Sequence, residues 1–302
     1  NIKKSYGHIR KEVETVYNFI DEHKKLFDIK LMCKVLKVSR SSYYKFLNKT
    51  ESKRTIENKG FEERILSIYE ESKKRYGAPK IHEILTGGGA TISLKRVQRL
   101  MKKLGIKSII IKRFRPYSSK EKIQERENIL KQDFSTTTLN EKWATDITYI
   151  YTLRNGWCYL ASVLDLCTKK IIGYSFSRTM DTEMAIKALD NAVKAQKPNR
   201  KVTLHSDLGS QYTSSKFKKY VEDNNIIHSF SGKGNPYDNA CIESFHASLK
   251  KEEVNLVTYY DFDVARLAIF EYIESWYNRK RIHSSIGYLT PQAYEDRLKK
   301  SA

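Results

Sequence analysis

The chain has 302 residues, 40% hydrophobic and 30% charged, with 56 Lys and Arg against 35 Asp and Glu for a net charge of +21. That hydrophobic content can bury a core, so a wholly disordered chain is excluded, and the length suggests about two domains. The basic excess points to a polyanionic partner, either nucleic acid or an anionic membrane surface.

The charge is concentrated at the front. Residues 1–132 hold 33 basic and 15 acidic side chains, net +18, whereas residues 133–302 hold 23 and 20, net +3. A solvated Lys-rich surface would not divide so steeply, so the front reads as the part that grips an anion. Cys33, Cys158, Cys167 and Cys241 are widely spaced with no CxxC pair. They suggest neither a disulfide framework nor a zinc finger and fit a reducing cytoplasm. No apolar run approaches the roughly 18 residues of a membrane span, and no secretory signal opens the chain. The first residue is Asn1 rather than Met, which leaves open a start further upstream or a longer parent product.

Residues 7–25 read as an amphipathic helix, and Ile29 to Leu36 has apolar positions at helical spacing. After a short break, Ser39 is placed to cap a further helix, Arg40 to Leu47. Two short helices with a tight break predict a helix-turn-helix within residues 1–55, with Arg40, Tyr43 and Lys45 offered to DNA. A second helical module is predicted over 56–115. It comprises Phe61 to Lys74, a turn at Arg75-Tyr76-Gly77-Ala78-Pro79, a short helix to Leu85, and Leu94 to Leu104 capped by Ser93 and ended by Gly105. Lys95, Arg96, Arg99, Lys102 and Lys103 crowd that last helix, and Arg113 follows it. Such cations set affinity for phosphates but do not choose a sequence. Residues 116–132 read as a basic linker.

From residue 133 the pattern changes. Lys142 to Thr152, Trp157 to Thr168 and Lys169 to Arg178 read as strands, the first two joined at Asn155-Gly156. Helix Asp181 to Gln196, strand Lys201 to Ser206, helix Thr213 to Asn224 and strand Ile226 to Phe230 follow. A Gly/Pro/Asn loop from Ser231 leads to helix Asp238 to Glu252, and Phe262 to Asn278 is another helix. This order predicts a mixed α/β layer fold rather than a Rossmann series. Trp143, Trp157 and Trp276 are expected in the core.

Three acidic residues stand out. Asp146 lies mid-strand in Trp143-Ala144-Thr145-Asp146-Ile147-Thr148, where a charge is costly to bury unless it is paired or binds a metal. Asp207 ends a strand, the position at which open α/β sheets bind ligands. Glu243 lies early in a helix whose Ile242 and Phe245 would pack inward. Mg²⁺ takes oxygen ligands and few protein carboxylates, and two such ions serve phosphoryl transfer.

The Asp146, Asp207, Glu243 spacing, with thirty-five residues between the last two, resembles the D,D(35)E signature of transposases and retroviral integrases. The flanking words are more specific. His205-Ser206-Asp207-Leu208-Gly209-Ser210-Gln211-Tyr212, Asn235-Pro236-Tyr237-Asp238-Asn239-Ala240-Cys241-Ile242-Glu243 and Tyr277-Asn278-Arg279-Lys280-Arg281-Ile282-His283-Ser284 resemble bacterial insertion-sequence transposases of the IS3 group, in their downstream-frame form. Arg75-Tyr76-Gly77 and Lys95-Arg96-Val97-Gln98-Arg99-Leu100-Met101 resemble that group's DNA-binding region.

The resemblance implies a ribonuclease-H-like integrase core over 133–295, a mixed five-stranded sheet with flanking helices, preceded by an all-α helix-turn-helix region. It implies Mg²⁺-dependent nicking of DNA at insertion-sequence ends and strand transfer by the freed 3′-hydroxyl, with Mn²⁺ able to substitute. Asp146, Asp207 and Glu243 become the catalytic metal ligands. Lys250, two helical turns after Glu243 on the same face, becomes a contact for terminal phosphates, with a solvated lysine as the alternative. Arg281 and His283 are offered to DNA or to the core. His205, Gln211, Tyr212 and His246 carry weaker expectations of orienting or packing. The implied partners are double-stranded DNA, as terminal repeats and as target, and further copies of the chain on that DNA, with no membrane. Two alternatives stay open: a non-catalytic DNA-binding regulator derived from such an element, and a cellular nuclease acting on RNA–DNA hybrids.

Overall fold

A computed structural model describes residues 13–48, 51–109, 128–130, 133–231 and 239–300. Arg113, the linker apart from residues 128–130, and Asp238 therefore lie outside the described residues. The chain divides into two compact units, residues 1–66 and 67–302. No helix among the described residues is long and apolar enough to cross a membrane.

In the first unit, α1 (Val13–His23), α2 (Ile29–Leu36) and α3 (Arg40–Leu47) pack around Tyr17, Ile20, Met32, Cys33, Leu36 and Tyr43. The Asp28 carboxylate caps α2 by accepting from the Lys30 amide at 2.6 Å. Lys37, in left-handed backbone, closes that helix with its amide on the Cys33 carbonyl. Ser39 precedes α3 as expected but makes no side-chain cap; its hydroxyl meets that of Ser41 at 2.8 Å instead.

α4 (Lys53–Glu71) begins in the first unit and ends in the second. In the second unit α5 (Ala78–Gly87) and α6 (Leu94–Lys103) form the helical pair anticipated from the Pro79 and Ser93 signals. Ser93 caps α6 by accepting from the Arg96 amide at 3.3 Å. At the other end the amides of Gly105 and Ile106 return to the carbonyls of Lys102 and Met101. That 5→2 and 6→1 pattern needs left-handed backbone, which Gly105 supplies with φ 66°.

The sheet is mixed and five-stranded, in the order β3-β2-β1-β4-β5. β1 (Lys142–Thr152), β2 (Gly156–Asp165) and β3 (Ile171–Ser177) are an antiparallel meander. β4 (Val202–Ser206) and β5 (Ile226–Phe230) add in parallel on the other side of β1. One face is covered by α7 (Thr182–Gln196), by the single turn α8 (Ser210–Thr213) and by α9 (Ser215–Asp223) over a core of Trp143, Val163, Leu189, Leu204 and Phe217. Gly173 lets α7 approach β3 closely: a Cβ there would stand 2.4 Å from the Ala188 carbonyl oxygen. α10 (Ala240–Leu249) reaches β1 and runs on through a π turn, Lys250–Val254. α11 (Phe262–Phe270) likewise continues as a π turn, Glu271–Tyr277. A final helix, α12 (Pro291–Lys300), was not anticipated; its apolar positions are too few for a clear period.

A further expectation changes. Trp143 and Trp276 are buried, but Trp157 is exposed, because it stands beside the hairpin turn at the start of β2, beyond the core that takes in Ala161 and Val163. Arg75 and Tyr76 of the turn that resembles the group's DNA-binding region are buried. Arg75 lies over the rings of Trp276 and Tyr272, donates to the Glu252 carbonyl at 3.0 Å, and pairs with Glu253 at 2.6 Å. The Tyr76 hydroxyl donates to the Lys280 carbonyl and accepts from the Ile282 amide. These residues fasten the start of α5 to the two π turns and the segment that follows them.

Candidate active site

The sheet register sets two carboxylates side by side. Ala144 on β1 is paired in parallel with His205 on β4, and two residues further along each strand stand Asp146 and Asp207. Neighbouring strands lie about 4.8 Å apart, so both side chains emerge together where β4 ends beside β1. The Asp146 carboxylate accepts from the Ile147 amide at 2.7 Å. Its other oxygen lies 3.4 Å from Nδ1 of His246 on α10. Asp207 is fixed by a tight turn in which its carboxylate accepts from the Gly209 amide at 3.0 Å. A Cβ at residue 209 would come within 2.9 Å of that oxygen, which accounts for the glycine.

Burial pushes the Asp207 carboxyl up to about 6, and the Asp146 charge adds to the rise. The Glu243 carboxyl, exposed on the first turns of α10, is also raised by desolvation and by Asp146, against a lowering by His246. Burial lowers the Lys250 ammonium while Asp146 raises it. Asp146 thus acts electrostatically on Asp207, Glu243 and Lys250 together. Among the described residues Asp207 has no cationic partner, and no three acidic, imidazole or thiol side chains close into a finished metal-ligand cluster. The donors nevertheless suit a hard divalent cation: they are carboxylate oxygens, and their mutual repulsion is relieved by positive charge.

Family models described as "Integrase core domain" match residues 137–236 and 224–291, and one described as "HTH-like domain" matches 55–114. Transposase InsF for insertion sequence IS3A of Escherichia coli (strain K12) is 37% identical over 284 residues, which cover 93% of this chain and 98% of that one. The transposase for insertion sequence element IS904 of Lactococcus lactis subsp. lactis (strain IL1403) is 35% identical over 250 residues, covering 82% and 98%. The chain belongs to the IS3 family of transposases. Solved structures similar to it include the simian T-cell lymphotropic virus intasome in complex with PP2A regulatory subunit B56 gamma. That match has a TM-score of 0.41 and 16% identity, and covers 76% of this chain and 74% of the other. The HTLV-2 integrase catalytic core domain in complex with magnesium matches with a TM-score of 0.40 and 15% identity, covering 52% and 96%.

The remaining expected site residues of the transposase divide by exposure. Lys95, Arg99 and Lys102 are exposed on α6 and Arg96 is half-buried, while Val97, Leu100 and Met101 form the buried underside. Arg40 and Lys45 are exposed on α3. Tyr43 is not: it is fully buried, its hydroxyl donates to Asp21 at 3.1 Å, and burial pushes it up to about 12. Its exposed neighbour is Tyr44. Arg281 also turns inward, held by Glu252 at 3.0 Å and touching Ser248. Tyr212 and His205 are buried, Tyr212 against Thr145 and His205 against Ser229 and Ser231. His246 is the residue that sequence reasoning underrated. One helical turn after Glu243, it is buried beside Asp146, and Nε2 has no hydrogen-bond partner among the described residues. The i, i+3 spacing was the available signal.

Asp207→Asn is expected to stabilise the cation-free transposase at neutral pH. The folded-state value of about 6 lies above the ordinary 3.8. The folded chain therefore holds that proton more tightly, and stability is lost as pH rises from about 4 through 6. Two units correspond to about 3 kcal/mol at pH 7, and an Asn oxygen still accepts from Gly209. Thermal melts at pH 4 and pH 7 with chelator check this; an equal effect at both pH values overturns it.

Proposed function

We propose that this transposase is a polynucleotidyl transferase that nicks DNA at the ends of its insertion sequence and joins the freed 3′-hydroxyl to another phosphodiester. The observation carrying this reading is Asp146 within β1 beside Asp207 at the end of the adjacent parallel strand β4, with Glu243 of α10 inside the same electrostatic field. Asp146, Asp207 and Glu243 would hold Mg²⁺, or Mn²⁺ in its place. The bound ions would supply Lewis acidity and charge neutralisation at the phosphodiester.

The chain's own groups do the rest. Without cations the three carboxylates repel DNA. His246 steadies the Asp146 carboxylate from the α10 side. Lys250, half-buried and coupled to Asp146, is a fixed positive charge for a phosphate next to the reacting one. Each joining forms one phosphodiester and breaks another, so no external energy source is needed. Lys95, Arg96, Arg99 and Lys102 of α6, and Arg40 and Lys45 of α3, would hold duplex phosphates, as would Arg113. Arg281 is assigned to keeping the core in register. We assign residues 1–55 and 56–115 to two DNA-binding modules, 116–132 to a linker and 133–295 to the catalytic core. Joining two ends calls for several copies on one DNA.

The test is incubation of the full chain with its element's terminal repeats, with and without Mg²⁺, followed by a search for 3′-end joining products. Joined strands only with the cation are expected. Binding without any nicking would overturn the catalytic reading in favour of a regulator.

A further inference from the structure

Beyond the carboxylates, β1 and β2 carry an aromatic face that stays largely exposed among the described residues. Tyr149 is paired across the strands with Tyr159, and Tyr151 with Trp157, so the four rings form one ladder. Tyr149, Tyr151 and Trp157 are 47%, 50% and 57% exposed. The rings meet edge-on rather than in a closed stack, with centroids 5.3 Å apart for Tyr151 and Trp157 and 5.5 Å for Tyr149 and Tyr159. They line a cavity of about 700 Å³ whose far wall is the π turn carrying Lys250 and Val254.

Two features tie this cavity to the reacting centre. Lys250 lines it and is coupled to Asp146. Tyr149 stands three residues beyond Asp146 on β1, about 10 Å along it and on the opposite sheet face, and β4 pairs β1 only as far as Ala144, so β4 does not separate the two faces beside Lys250. A DNA strand whose phosphodiester lay on the carboxylates would pass Lys250 and bring its next nucleotides over the rings.

We propose that this face is a stacking platform for unpaired nucleobases of the strand held at the carboxylates. The inference rests on the catalytic reading above. The chemistry fits that occupant better than it fits another protein surface. Flat exposed rings offer π-faces, which every base can use without regard to sequence. The lysine on the wall answers the phosphate that accompanies each base, a partner that a dry apolar contact between copies does not supply. The platform holds the end locally unpaired, so that the scissile bond is not shielded by the duplex.

The experiment measures binding of the full chain, with Mg²⁺ and dideoxy-terminated strands that cannot be joined, to a blunt duplex and to the same duplex with a short thymidine 3′ overhang. Wild type is expected to prefer the overhang. Trp157→Ala and Tyr151→Ala should each weaken overhang binding about tenfold, the equivalent of about 1.4 kcal/mol. Blunt-duplex binding should stay within about twofold, and Trp157→Phe should restore most of the loss. The overhang should also quench tryptophan emission, and Trp157→Phe should remove that quenching, since Trp143 and Trp276 are buried. Equal losses on both DNAs, or no loss on either, overturn the platform. So do variants that only dissociate a multimer, which would make the face an interface between copies. Because binding is read without turnover, an active Glu243→Gln variant would sink the catalytic reading and leave the overhang preference standing.

Discussion

Glu243→Gln is expected to lower end joining by about a thousandfold or more while leaving duplex binding and thermal stability near wild type. Glu243 is exposed on the first turns of α10, whose packing depends on Ile242, Phe245 and Leu249. Glutamine keeps the shape and helix propensity and removes only the charge. Divalent cations contribute several kcal/mol to transition-state charge stabilisation in phosphoryl transfer, and about 4 kcal/mol is about a thousandfold in rate. Duplex affinity rests on the basic helices and should not fall. The measurement is joined product per unit time over a Mg²⁺ series, beside binding isotherms and melts of the same variant. Undiminished joining would refute the role of Glu243. A parallel drop in stability would mean that the side chain supports the fold instead.

The contrast with Asp207 sharpens this. Asp207 is mostly buried and raised to about 6, so neutralising it changes stability as well as chemistry. Glu243 is the cleaner probe.

What could be read from the residues follows from the range of the interactions involved. The strands β1 to β5 and the helices other than α8 and α12 were legible, with α4 beginning at Lys53 rather than Phe61, because alternation, helical spacing and the Ser93, Gly105 and Asn155-Gly156 signals are local. The neighbouring positions of Asp146 and Asp207 were not legible from local pattern, since they depend on β4 pairing in parallel beside β1 across sixty residues. Motif resemblance carried that step. Inward or outward direction was the least readable quantity. Tyr43 and Lys45 share a short helix, yet Tyr43 meets Asp21 on α1 and is lost to the surface. Arg75 and Arg281 look like DNA-facing cations in a basic chain, but Glu253 and Glu252, reached only through the folded π turn, claim them. His246 was underrated for the same reason, because its partner Asp146 lies a hundred residues earlier.

Glu252→Ala is expected to destabilise the second unit by about 3–5 kcal/mol, a loss of roughly 10 °C in Tm. Glu252 is 4% exposed and accepts from the Tyr272 hydroxyl at 3.0 Å, the Trp276 indole at 3.1 Å and Arg281 at 3.0 Å. Burial pushes its carboxyl up, but the Arg281 charge and the hydrogen bonds from Arg281 and Trp276 outweigh that and leave it below the ordinary value. Removing it strands the buried Arg281 guanidinium and two donors. A depressed carboxylate contributes stability above the ordinary glutamate range that is lost as pH falls through the folded-state value. Wild type should therefore lose part of its stability below about pH 4.5, whereas Glu252→Ala, already lacking it, should show a flatter acid limb. Pairing the change with Arg281→Met should recover much of the loss, because an apolar pair of similar size leaves no buried charge unanswered. Glu252 lies two residues after Lys250 on the helix that also carries Glu243, so Glu252→Ala should reduce joining together with Tm, unlike Glu243→Gln. A Tm shift of under about 2 °C, or strictly additive single and double variants, would refute the claim that this ion pair holds the π turn and Lys250 in place.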